Sequence, residues 1–68
     1  MGLIKRKLSE KIRYFRKEKN LTQEKLAEMA NIDFTTLNKI ENGKRSASLK
    51  TIEKIARALK IHPKDLLS

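Results

Sequence analysis

Apolar side chains recur along this chain at intervals of three and four, and β-branched residues never alternate over the length of a strand. Such spacing lines one face of an α-helix and no face of a strand, so it confines the chain to helices. Ile4, Leu8, Ile12 and Phe15 form one stripe and predict a first helix over about residues 4–19. Leu26, Met29 and Ala30 predict a second, short helix. It opens at Thr22, whose hydroxyl can accept an orphan backbone N–H. Leu37 and Ile40, with Phe34 at the margin, give a third helix with Asp33 as its N-cap. Leu49, Ile52, Ile55, Ala56 and Leu59 give a fourth, capped by Ser48. Pro63 to Leu67 add a last helical turn, with proline at the first helical position, where it fits well. The expected fold class is all-α: one compact five-helix domain spanning residues 1–68.

At 68 residues, core burial barely suffices for one domain. Stability must rest on a small aliphatic core, helped by self-association. The absence of Cys removes disulfides, thiolate zinc sites and a cysteine nucleophile. A single histidine, His62, builds no histidine metal site, and its place before Pro63 reads as a helix cap or surface residue. No Ser/His/Asp spacing, Gly-rich phosphate loop or carboxylate pair in a cleft is present, so neither an enzyme nor a cofactor is expected. The start of the chain has only two apolar residues before its charges begin, and Arg6 stands where a myristoylation motif wants Ser or Thr. No apolar run approaches a membrane span. A cytoplasmic, nucleoid-associated protein is the expectation.

The second and third helices are separated only by Asn31 and Ile32 before the Asp33 cap. So short a joint forces a sharp angle between two short helices. Asn31 tolerates the left-handed conformation that ends a helix, and Ile32 is expected to plug the elbow from beneath. Short helix, tight turn, short helix in a basic chain is the outline of a helix-turn-helix.

The formal charge is +9, which favours a polyanionic partner. It is unevenly spread. Residues 1–20 carry eight bases against two acids and residues 35–50 four against one, whereas residues 21–34 carry one base against three acids. Glu24, Glu28 and Asp33 of that acidic window read either as helix-terminus electrostatics or as a patch touching another protein, such as RNA polymerase. Tyr14 points away from the main stripe, as a flank of the core or a partner surface. Three aromatics in total are few for a single-stranded nucleic-acid platform.

The stretch Leu21-Thr22-Gln23-Glu24-Lys25-Leu26-Ala27, followed by Leu37-Asn38-Lys39-Ile40-Glu41-Asn42-Gly43-Lys44, resembles the phage-repressor (Cro-like, XRE) helix-turn-helix family. The resemblance runs from Ile12 to Leu67 and implies a five-helix domain that binds duplex DNA as a dimer. It implies that Gln23 bonds a phosphate or a base edge, with Thr22 on the phosphate beside it. It makes the third helix the recognition helix, with Phe34, Thr35, Asn38 and Lys39 as base contacts and Thr36 beside them. Asn38 then suits adenine, and Lys39 guanine or a phosphate. Phe34 departs from the polar residue usual in the family; it either meets a thymine methyl or folds back onto Leu37 or Ile32. Asn42, Lys44, Arg45 and Ser46 are implied along the sugar–phosphate backbone, and Gly43 supplies a positive φ. Arg16 and Glu41 match a buried structural ion pair of the family. Asn31 replaces the usual turn glycine, and Ala47 stands where proline is common.

The leading expectation is a sequence-specific regulator of transcription, a repressor or autoregulator, binding an inverted repeat of double-stranded DNA as a homodimer. Leu59, Ile61, Leu66 and Leu67 are candidates for dimer contacts or for core. The competing expectation is a basic helical module binding RNA, an anionic membrane or an acidic protein through Lys5, Arg6, Lys7, Lys11, Arg13, Lys17 and Lys19. A third is a protein-only adaptor that keeps the fold without DNA binding.

Overall fold

The computed structural model describes residues 2–67, with side chains from residue 7 onward. Ile4, Lys5 and Arg6 therefore lie outside the described side chains. Five helices follow one another: α1 (Gly2–Glu18), α2 (Gln23–Ala30), α3 (Phe34–Glu41), α4 (Leu49–Leu59) and α5 (Pro63–Leu67). Among the described residues there is no strand. The first helix starts two residues earlier and ends one earlier than its apolar stripe predicts.

Every helix contributes to one core. Leu8 and Ile12 meet Leu26, Ala27 and Ala30, Leu37 and Ile40, the α4 residues Ile52, Ile55, Ala56 and Leu59, and Leu66. α3 packs on α1 and α2, while α4 closes on α2 and α5. Two stripe assignments need correction: Met29 is 44% exposed and Leu49 61%, each lying at the edge of its helix's buried arc. Phe34, at the margin of its stripe, is 43% exposed and so does not fold back fully onto the core. Leu59 and Leu66 are fully buried, which removes them from the candidate dimer contacts.

The caps explain where the helices begin. Thr22 Oγ1 accepts the Lys25 N–H and Ser48 Oγ accepts the Thr51 N–H. Asp33 has the extended backbone of an N-cap, but its carboxylate makes no capping bond to α3. His62 caps α5: its Nδ1 accepts the Lys64 N–H, while the Asp65 carboxylate accepts the His62 N–H.

The helix ends share one device. Asn20, Asn31, Gly43 and Lys60 adopt positive φ after α1, α2, α3 and α4. In each case the next residue's N–H reaches back to a carbonyl in the last turn: Leu21 to Arg16, Ile32 to Ala27, Lys44 to Lys39 and Ile61 to Ala56. This is the Schellman arrangement, which satisfies orphan carbonyls and turns the following residue inward. Leu21, Ile32 and Ile61 accordingly pack half-buried against the core.

Candidate nucleic-acid interface

The three-residue joint packs α3 against α2, with α3 carrying two different faces. Leu37, Ile40 and Glu41 are buried, whereas Phe34, Thr35 and Lys39 are exposed and Thr36 and Asn38 half-exposed. Phe34 at the first position of α3 thus offers an aromatic ring to solvent. Asn42, Lys44, Arg45 and Ser46 continue the exposed surface beyond the helix. Gly43 turns the chain there at φ +72°.

Beneath that surface runs a polar network linking three helices. The Glu41 carboxylate has no solvent exposure. Arg16 clasps it with two bonds, Nε to Oε2 at 2.9 Å and Nη2 to Oε1 at 3.0 Å. The remaining guanidinium nitrogen donates to the Leu21 carbonyl at 2.8 Å. Arg13 Nη1 donates to the Glu41 backbone carbonyl at 3.1 Å, stitching α1 to the end of α3. The paired geometry leaves no buried side-chain nitrogen or oxygen without a partner among the described residues.

Gln23 joins the same carboxylate, its Nε2 donating to Glu41 Oε1 at 3.0 Å. Its own Oε1 accepts from Asn38 Nδ2 at 3.0 Å, and Asn38 Oδ1 accepts from Asn42 Nδ2 at 3.2 Å. Gln23 and Asn38, each implied as a separate base contact, are therefore bonded to one another. Each keeps free hydrogen-bonding capacity, because a primary amide has two donors and two acceptor positions. Sequence reasoning missed the joining of Gln23, Asn38 and Asn42. Its only trace in the chain is that Glu41 and the α3 cap Asn42 follow Asn38 by three and four residues.

Other candidates are dispersed. Glu24, Glu28 and Asp33 are all exposed, and Glu28 pairs with Lys25 at 3.5 Å. Arg13, which the basic surface of the first helix would need, is instead half-buried and bonded to α3. Tyr14 is exposed, with its ring edge-on to Phe15 at 5.2 Å. No group of three metal-ligating side chains occurs among the described residues. Among the described residues no helix is long and apolar enough to cross a membrane.

The helix-turn-helix family model HTH_3 matches residues 12–66. The chain belongs to the HTH_3 family. This HTH_3 protein is 48% identical over 59 residues to control protein C.BamHI of Bacillus amyloliquefaciens, across 85% of this chain and 73% of that one. It is 42% identical over 69 aligned positions to control protein C.MunI of a Mycoplasma species, covering 100% and 93% of the two chains. The crystal structure of the restriction-modification controller protein C.AhdI from Aeromonas hydrophila matches with a TM-score of 0.89 at 37% identity, covering 91% of this chain and 94% of that one. The HTH_3 protein is thus a helix-turn-helix DNA-binding regulator of transcription, and duplex DNA takes precedence over RNA, membrane or an acidic protein as its partner.

Proposed function

We propose that this protein is a controller of a restriction–modification system, acting in the cytoplasm as a homodimer on an inverted-repeat operator. The observation that carries the DNA reading is the division of α3 into one buried face and one exposed face. The exposed face is continuous with the basic loop at residues 42–46. The similarity to controller proteins over most of both chains supports the more specific role.

The exposed start of α3 enters the major groove, where Phe34, Thr35, Asn38 and Lys39 meet base edges. Asn38 pairs with adenine through its spare N–H and lone pair, Lys39 reaches guanine or phosphate, and the Phe34 ring covers a thymine methyl. Gln23 reaches toward the same groove with its remaining amide hydrogen. Thr22 and the N-terminus of α2 face a phosphate, the opening N–H groups of a helix being a ready anion site. Asn42, Lys44, Arg45 and Ser46 follow the backbone and set orientation without reading sequence. Two-fold symmetry places two recognition helices about 34 Å apart, one turn of DNA. Of the four apolar residues considered for the dimer, Ile61 and Leu67 retain surface for it.

Selection of binding sites from random duplex DNA tests the whole reading, because it reports sequence, spacing and symmetry together. An inverted repeat with half-sites one turn apart is expected. Asn38→Ala should then relax preference at one position of each half-site, whereas Lys44→Ala should weaken all duplexes alike. Equal affinity for selected and scrambled duplexes at every salt concentration would overturn the proposal.

A further inference from the structure

Gln23, Asn38 and Asn42 form a chain of three neutral amides that ends on a carboxylate shut off from solvent. An amide can turn by half a rotation with little change of shape, exchanging its donor and acceptor. Three amides linked to each other alone would therefore have two equivalent directions. A carboxylate removes that freedom, because it only accepts.

The consequence propagates residue by residue. Arg16 fills one side of the Glu41 carboxylate, and Gln23 must turn its amino group toward the Oε1 that remains within reach. That leaves Gln23 Oε1 facing α3, so Asn38 must donate to it. Asn38 Oδ1 is then directed at Asn42, which must in turn donate. We propose that buried Glu41, acting through Gln23 and closed off by Asn42, fixes the donor–acceptor order that Asn38 presents to a base pair.

The proposal rests on the reading of Asn38 as a base contact and adds the reason that its contact has a direction. In the relay, Asn38 spends one N–H and one lone pair internally and keeps one of each. That remaining pair, in one order, fits the N7 acceptor and N6 amino group of adenine. The turned amide offers the reverse order and loses the match. Glu41 and Asn42 act here as positioning residues, since neither needs to touch a base for the order to be set.

Asn42→Asp is the sharpest test. An acceptor at residue 42 demands the opposite orientation of Asn38, while Glu41 still demands the original one. The two ends of the relay then conflict, and no arrangement of Gln23 and Asn38 satisfies both. Asn42→Ala removes the closing bond without imposing the reverse order, and Glu41→Gln removes the acceptor-only anchor. Selection from random duplexes is run for the parent, these three variants and Asn38→Ala, and base preferences are compared within each protein. That comparison cancels any uniform loss of phosphate binding. In parallel, side-chain amide exchange is followed by NMR in the DNA-free protein.

The expected result is that Gln23 and Asn38 each show one slowly exchanging amide hydrogen in the parent. Asn42→Asp should lose that protection at Asn38. Its preference at the position read by Asn38 should fall by about five- to tenfold, part of the discrimination a bidentate contact provides. Asn42→Ala should lose less, and Glu41→Gln, if it folds by circular dichroism, should lose as much as Asn42→Asp. Rapid exchange of both amides in the parent would overturn the relay itself. Protection in the parent with unchanged base preference in Asn42→Asp would overturn its role in specificity. Unchanged preference in Asn38→Ala would instead overturn the base-contact reading, and the proposal with it.

Discussion

Asn20, Asn31, Gly43 and Lys60 adopt the same left-handed conformation, yet they do so at different cost. Glycine adopts it freely and asparagine tolerates it, whereas lysine carries the clash between Cβ and the following carbonyl, about 1–2 kcal/mol. A Cβ added at Gly43 would meet nothing closer than Ser9 Oγ at 4.0 Å, so the penalty there is conformational rather than steric crowding. Gly43→Ala should therefore lower stability by about 1 kcal/mol, and Lys60→Gly should raise it by roughly 0.5–1 kcal/mol. Thermal melts check both, since each kcal/mol moves the midpoint of a domain this size by about 4–8 °C. An unchanged midpoint for both variants would contradict the account.

Helix ends make a second contrast. Thr22 and Ser48 each hold an N–H of the helix they open, but Asp33, at the same position before α3, holds none. Thr22→Ala and Ser48→Ala should each cost about 1 kcal/mol in urea denaturation. Asp33→Ala should cost only a few tenths, the residual attraction of a carboxylate for a helix N-terminus. Between helices, the Arg16–Glu41 clasp joins α1 to α3 beneath the proposed DNA-reading surface. Arg16→Met strands a buried carboxylate and should cost about 3–5 kcal/mol, comparable to the whole stability of a chain this small. Replacing both partners, as Arg16→Met with Glu41→Leu, should restore most of that loss if packing is kept. Urea curves of the single and double variants decide it: a double variant no more stable than the single would count against uncompensated charge as the cause.

For the whole molecule, the charge of +9 sets long-range attraction rather than sequence preference. Part of the basic first helix is already committed, since Arg13 and Arg16 bond to α3. The exposed cations of the proposed interface are Lys39, Lys44 and Arg45. Each phosphate they neutralise adds about −0.9 to the slope of log affinity against log salt. Lys44→Ala should therefore flatten that slope by about one while leaving base preference intact, as titrations at several salt concentrations would report. A parallel slope would remove Lys44 from the phosphate track.

The family motif makes the helix-turn-helix legible in the amino-acid order, and the apolar spacing with the caps reveals all five helices, the first to within two residues at each end. That spacing misleads where a residue lies at the margin of an arc. Met29 and Leu49 fit the three-and-four pattern but project outward, because periodicity fixes an angle about the helix and not what covers it. Lys60 carries no signal for its left-handed turn, which the burial of Ile61 and the end of α4 impose.

The helical class, the tight joint, the caps at Thr22 and Ser48 and the positive charge all follow from the amino-acid order, because each depends on residues near one another in the chain. Tertiary packing is what assigns Leu59 and Leu66 to the core, and what joins Gln23, Asn38, Glu41 and Asn42 in one hydrogen-bonded relay. Those outcomes depend on the angle at which α2 crosses α3 and on the depth at which Glu41 is buried. Neither is a local property. Only the assembled core fixes them.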